Sequence, residues 1–171
     1  LTERHGDTTA AVSSIDTMLI SVADATLGTR EDRDSGRLRG MEDTTDLLFV
    51  YGTLRQGLAR GEASVLVHDL ESIGAATVRG LLYDLGSYPG MVVGDGVVHG
   101  DLLRVTDPAR LTALDAYEEC GGSAPLFQRT VTTAHRQGGS VTAWVYLYAR
   151  PIADGTRIEH GDYALCRMRH T

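Results

Sequence analysis

Leu47-Leu48-Phe49-Val50-Tyr51, ended abruptly by Gly52-Thr53-Leu54-Arg55, is the stretch from which the fold can be read. A short, continuous apolar run closed by a glycine is the pattern of a buried strand. The residues that follow are rich in the same signal. Thr77-to-Leu85, Met91-Val92-Val93 and Val97-to-Val105 are expected strands, each bounded by Gly, Pro or Asp. Gly94-Asp95-Gly96 reads as a tight hairpin turn between the last two. Phe127-to-Ala134 and Val141-to-Tyr148 form another expected hairpin around Gly138-Gly139. In its second arm Trp144, Tyr146 and Tyr148 alternate with Ala143, Val145 and Leu147, the period of two that a strand requires.

One helix is clearly signalled between these strand groups. Asp107 is a capping residue, Pro108 suits the first turn, and Ala109-to-Glu119 contains strong helix formers. A second helix is expected over about Glu62-to-Leu70. Five to six strands with one or two flanking helices imply an α+β protein built as a small mixed β-barrel.

The chain has 171 residues, enough for one domain with a real core. No stretch reaches the roughly 18 apolar residues that span a membrane. The opening Leu1-Thr2-Glu3-Arg4 does not begin a basic segment followed by about 7 to 15 apolar residues, so no signal peptide is read and a cytoplasmic location is expected. The formal charge of −7 argues against nucleic acid as a partner, because phosphate neutralisation needs a basic surface. Cys120 and Cys166 match no zinc spacing, and the six histidines are scattered, so no metal site is expected. All sixteen basic residues are Arg; Lys and Asn are absent, a bias that suggests GC-rich coding DNA.

Residues 1–46 differ from the rest. They hold ten acidic residues against five Arg, while residues 47–171 hold 13 against 11. Thr, Ser, Asp and Arg dominate, and no aromatic residue occurs before Phe49. This is the composition of a disordered or loosely attached extension. Met41, six residues before the first strand, leaves open a second reading, in which the upstream residues come from a start codon assigned too early. Residues 47–171 are expected to form the folded domain.

Two features carry chemistry. In Tyr51-Gly52-Thr53-Leu54-Arg55 the glycine lets the backbone turn and brings successive N–H groups toward one point, which suits a carboxylate or a forming oxyanion. A plain strand-to-loop transition has the same pattern. In the helix, with Leu111 at zero, Leu114 falls at about 300° and Glu118 at about 340°, inside the apolar stripe. Glu119 falls at about 80° and Asp115 at about 40°, toward the edge. An inward acid is costly if charged and unpaired, and burial raises its pKa toward the range of a general base. The alternative is a carboxylate that turns to solvent or pairs with an Arg such as Arg129. Cys120 has no catalytic His context and is read as incidental.

Taken in order, VYGTLRQG (Val50 to Gly57), YPGM (Tyr88 to Met91), LDAYEE (Leu114 to Glu119), LFQR (Leu126 to Arg129) and AWVYLY (Ala143 to Tyr148) resemble the γ-glutamylcyclotransferase and AIG2-like proteins. Gly161-Asp162-Tyr163 is similar to that family's closing turn. The resemblance covers about Leu47 to Tyr163. It implies a small barrel that releases a γ-glutamyl group as 5-oxoproline by attack of the substrate's α-amine on its own γ-carbonyl. It implies a metal-independent lyase or acyltransferase type of enzyme, without a cofactor, acting on a small γ-glutamyl substrate. The YGTL-type loop that holds the γ-glutamyl moiety maps to Tyr51, Gly52, Thr53 and Leu54, and the catalytic Glu maps to Glu118. The residue after that Glu is usually Gly and is Glu119 here. Tyr88 and the Trp144, Tyr146 and Tyr148 face are candidates to line the cavity or to pack the barrel. A non-catalytic ligand-binding or interaction protein on the same barrel is the alternative.

Overall fold

In the computed structural model, which describes residues 45–168, the first strand sends its side chains into two different cores. In β1 (Leu47–Val50), Leu48 and Val50 face one hydrophobic cluster, and Phe49, followed by Tyr51, faces the other. This two-sided burial is why the sequence there is apolar without alternation. The remaining elements follow as α1 (Gly61–Val67), β2 (Glu71–Asp84), β3 (Pro89–Arg104), α2 (Pro108–Tyr117), β4 (Phe127–Arg136), β5 (Gly139–Tyr148), β6 (Thr156–Arg157) and α3 (Tyr163–Met168).

The six strands form one mixed sheet in the order β3-β1-β5-β4-β2-β6, and an additional β2–β3 pairing closes it partly into a ring. Two pairings are extensive, β2 with β3 and β4 with β5, both antiparallel hairpins. The seams are short: one register pair joins β1 to β5 in parallel, Leu48 to Trp144, and one joins β2 to β4, Thr77 to His135. Inside the ring lie Phe49, Val78, Leu82, Met91, Val98, Leu102, Ala134 and Val145, contributed by all five ring strands. The second cluster lies where α1 and α2 cover the sheet, with Ala63, Val67 and Leu114 set against Leu48, Val50, Leu103 and Tyr146.

The expected α+β class holds, with β6 as the two-residue sixth strand and a short third helix, α3, added to the two expected. One expectation is overturned. Gly94-Asp95-Gly96 is not a hairpin turn, because β3 runs unbroken from Pro89 to Arg104. Neither Gly94 nor Gly96 takes the positive φ that a tight hairpin turn demands. Instead the register jumps, Arg79 facing Val97 and Leu81 facing Val92, so the glycines sit in a bulge. Their missing Cβ atoms are what matters. A Cβ on Gly94 would meet Leu81 Cδ1 at 2.8 Å, and one on Gly96 would meet the Gly80 carbonyl oxygen at 2.6 Å. The true turn of this hairpin is at residues 85–88, where Leu85 N–H donates to the Tyr88 carbonyl (3.1 Å) and Gly86 has φ +92°.

The expected extension over residues 1–46 lies outside the described residues except for its last two. Those two are tied to the sheet: Thr45 Oγ1 donates to the Thr142 carbonyl (2.8 Å), and Asp46 pairs with Arg104 (2.7 Å). Among the described residues no helix is long and apolar enough to cross a membrane.

The bulge reading predicts that Gly96→Ala, which drives a methyl into a backbone carbonyl, lowers unfolding free energy in urea by about 1–3 kcal/mol. An unchanged midpoint would contradict that packing.

Candidate active site

The cavity that gathers the singled-out residues lies on the helix-covered face of the sheet, where β1 ends beneath the end of α2. Its volume is about 230 Å³, below the roughly 300–1,000 Å³ of drug-sized pockets and suited to a small moiety. Residues 49–54 form one wall, Tyr88 and Pro89 a second, Tyr117, Glu118 and Glu119 the roof, and Leu126, Phe127 and Tyr146 the far side. All six sequence-predicted site residues, Glu118, Tyr51, Gly52, Thr53, Leu54 and Tyr88, therefore meet at one place.

The end of α2 decides where Glu118 points. Asp107 caps the start by accepting from Ala109 N–H (2.9 Å), and Pro108 occupies the first turn. Leu114 is fully buried and anchors the helix against the sheet, a burial worth about 1.5–3 kcal/mol. The helix then closes in a Schellman arrangement. Cys120 N–H reaches back to the Asp115 carbonyl (2.9 Å) and Glu119 N–H to the Ala116 carbonyl (3.2 Å). Glu118 is thus the C-cap (φ −82°, ψ 6°), and Glu119 occupies the following position in the left-handed region, φ +50°. That position favours glycine, which accounts for the glycine usual in similar sequences. Glu119 adopts the same backbone, so Glu118 keeps its inward aim.

Among the described residues, no hydrogen bond or ion pair reaches the Glu118 carboxylate. Burial alone pushes its pKa up, to about 7 from the ordinary 4.5. Arg129, the alternative partner, is engaged elsewhere. Its Nε lies 3.4 Å from Asp115 Oδ1, and its guanidinium stacks 4.7 Å over the Trp144 ring. Asp115 also accepts from the Tyr146 hydroxyl (2.9 Å), which ties α2 to β5 on the cavity's far side. Burial, then Asp115, pushes the Cys120 thiol up to about 11, away from the thiolate form that a nucleophile requires.

Opposite Glu118, the loop after β1 turns sharply. The Arg55 N–H closes the turn onto the Gly52 carbonyl (3.0 Å), so it is not among the loop N–H groups left for a ligand. Among the described residues, Gly52, Thr53 and Leu54 N–H groups have no partner in the protein, and their residues line the cavity. Gly52 is required for space, since a Cβ there would overlap the Pro89 ring. Arg55 pins the loop from behind, with Nε 2.8 Å from Asp101 and Nη1 3.0 Å from Asp162.

Tyr51 lines the cavity with its hydroxyl already committed. It donates to the Tyr146 carbonyl (2.7 Å) and accepts from Met91 N–H (3.3 Å), and burial, then Glu118, drives its pKa upward. Tyr88 packs edge-on against Phe127, at 5.9 Å between centroids. Of the Trp144, Tyr146 and Tyr148 face, only Tyr146 reaches the cavity. Trp144 donates to the Thr45 carbonyl (3.0 Å), and Tyr148 packs on Phe127. Tyr117 was not singled out from sequence, though its place beside Glu118 in LDAYEE was the available signal. Its pKa is raised by burial first, then by Glu118 and Glu62.

Comparison with known proteins agrees with this arrangement. The sequence pattern of the family described as gamma-glutamyl cyclotransferase, AIG2-like, matches residues 48–165. A gamma-glutamylcyclotransferase family protein of Citrobacter rodentium is 39% identical over 118 residues, 68% of this chain and 93% of the relative. A protein of Niallia circulans named gamma-L-glutamyl-butirosin B gamma-glutamyl cyclotransferase is 32% identical over 130 residues, 72% of this chain and 78% of the relative. The crystal structure of a mouse AIG2-like protein superposes with a TM-score of 0.57, at 24% identity over 69% of this chain and 87% of that one, which supports the fold.

Two stability measurements follow from the geometry. The raised Glu118 pKa means the folded protein takes up a proton more readily than the unfolded chain. Stability is therefore greatest below about 4.5 and falls as pH rises through about 7, by on the order of 3 kcal/mol. Glu118→Gln is expected to match wild type in urea unfolding at acid pH and to exceed it at pH 8; a less stable variant at pH 8 would mean a hidden partner for the carboxylate. Glu119→Gly is expected to gain about 1 kcal/mol by relieving the left-handed backbone, and a loss would contradict the helix closure described.

Proposed function

The chain belongs to the gamma-glutamyl cyclotransferase, AIG2-like family, and from that premise we propose that it releases 5-oxoproline from a small γ-glutamyl amide. The observation that carries the proposal is that Glu118, a carboxylate with no partner among the described residues and a pKa raised by burial to about 7, lines one small cavity together with Gly52, Thr53 and Leu54. The name of the Niallia circulans relative supports the reaction class.

The reaction is internal to the substrate. Its α-amine attacks its own γ-carbonyl carbon; the new C–N bond closes a five-membered lactam, and the bond to the departing amine breaks. Because both reacting groups belong to one molecule, the protein's main task is to hold a folded-back conformer. The α-nitrogen passes from an ammonium to a lactam N–H and so gives up two protons, one before its attack and one after; Glu118 takes each in turn and passes both to the departing nitrogen, which leaves as an ammonium, so the carboxylate is regenerated and the proton count closes. A pKa near 7 fits both halves of that exchange. The Gly52, Thr53 and Leu54 N–H groups bind the substrate's carboxylate or the oxyanion that forms at the γ-carbon. No protein nucleophile enters, and the reaction as proposed is metal-independent.

A barrel that binds the ligand without turning it over is the competing reading, and it rests on Glu119 in place of glycine. The left-handed backbone at Glu119 leaves Glu118 in position, which favours the enzyme.

Incubation with a panel of γ-glutamyl amines and dipeptides, read by mass spectrometry, is expected to yield 5-oxoproline. kcat/KM is expected to rise with pH through about 7 as Glu118 loses its proton, to fall about 100-fold or more in Glu118→Gln, and to survive EDTA. Absence of product across the panel, or full activity in Glu118→Gln, would refute the proposal. Binding without turnover would favour the competing reading, and free glutamate would indicate hydrolysis.

A further inference from the structure

Arg55, which braces the loop after β1, also lines a second cavity, of about 470 Å³, that shares no residue with the first. This cavity lies at the seam where β2 meets β4. Thr77 is paired with His99 on β3 and with His135 on β4. Directly opposed residues of antiparallel strands stand on the same face, so Thr77 sits between two imidazoles. Arg136 and Gln137, where β4 turns toward β5, extend the polar lining, and Ala75 and Ala76 belong to the apolar part.

The charges here are not balanced. Among the described residues Asp162 is the one acid in the lining, and it is taken: Arg55 Nη1 lies 3.0 Å away and Ala164 N–H donates to it (2.9 Å). Arg55 is matched in turn by Asp101 (2.8 Å). Arg136 is different. Among the described residues it is the one arginine whose side chain has no hydrogen bond, ion pair or ring contact. The His99 ring likewise has no partner among the described residues. His135 engages one ring nitrogen, Nδ1, 2.8 Å from Ser140 Oγ, and keeps the other.

In a chain of formal charge −7, a cavity whose unmatched groups are a guanidinium, two imidazoles and an amide suits an anion. A carboxylate is planar, and one guanidinium satisfies it. A phosphate presents three terminal oxygens and draws donors from several directions, as β2, β3, β4 and the turn after β4 provide them here. The volume falls within the roughly 300–1,000 Å³ of small-molecule sites, which leaves room for an organic body beside Ala75 and Ala76.

We propose that this cavity is a second binding site, for a small molecule that carries a terminal phosphate, with Arg136 as its main cation. The proposal does not depend on the cyclotransferase reading, because the two cavities have no residue in common.

Isothermal titration calorimetry at low salt tests it with inorganic phosphate, glycerol 3-phosphate, glycerol and succinate. Both phosphates are expected to bind, succinate about tenfold more weakly, and glycerol not at all. The tighter of the two phosphates shows whether free phosphate or an ester is the source, and either order supports the site. Arg136→Gln is expected to weaken phosphate binding by about tenfold or more. Arg136 is exposed, and an unchanged thermal midpoint without phosphate shows that the variant is folded. In NMR spectra of the wild type, the ring signals of His99 and His135 are expected to shift on titration with phosphate. No binding of either phosphate, affinity unmoved by Arg136→Gln, or succinate bound as tightly as phosphate overturns the proposal. So do shifts confined to Gly52, Thr53 and Leu54, which would put the anion in the first cavity.

Discussion

A carboxylate half-buried in a small cavity, with no partner among the described residues, is the constraint on which the rest of this structure turns. Burying Glu118 costs on the order of 3 kcal/mol at neutral pH, a large share of the 5–15 kcal/mol that holds a typical domain together. Such a group persists only where its surroundings are over-determined. Leu114 anchors α2, Asp107 fixes where the helix begins, and the backward hydrogen bonds of Glu119 and Cys120 fix where it ends. Between those limits the C-cap residue has one direction to face.

The opposite wall is held by different means. The loop after β1 is closed by its own backbone and clamped from behind by Arg55, which reaches Asp101 on β3 and Asp162 just before α3. Tyr51 spends its hydroxyl joining β5 to β3, through the Tyr146 carbonyl and Met91 N–H. Asp115 joins the helix to β4 and β5 through Arg129 and Tyr146. Acid and loop are thus each braced, and Tyr146 joins the two braces, a fixed geometry of the kind that a reaction dependent on the substrate's folded-back conformer demands.

Much of this was legible in the sequence because the decisive signals are local. Asp107 and Pro108 set the helix phase, and the phase put Glu118 between Leu111 and Leu114; the helix ends one residue earlier than the inward acid, but the C-cap preserves the direction. The loop glycine announced the sharp turn. What stayed hidden depends on residues far apart in the chain. Gly94-Asp95-Gly96 carries a genuine turn signal, and only its partner residues Gly80 and Leu81 make it a bulge. Arg55 needs Asp101 and Asp162, and Arg129 needs Asp115 and Trp144, pairings that no spacing along the chain reveals. The Glu at the glycine position is intelligible only once the helix closure places it at φ +50°.

The central claim is that the Glu118 carboxylate is half-buried without a partner among the described residues and so titrates near neutrality. A carbon-13 NMR titration of glutamate side-chain carboxyls, with Glu118 assigned by comparison with Glu118→Gln, measures this directly. The account predicts one carboxyl titrating at about 7, absent from the variant. A Glu118 resonance titrating at or below the ordinary 4.5 would contradict it.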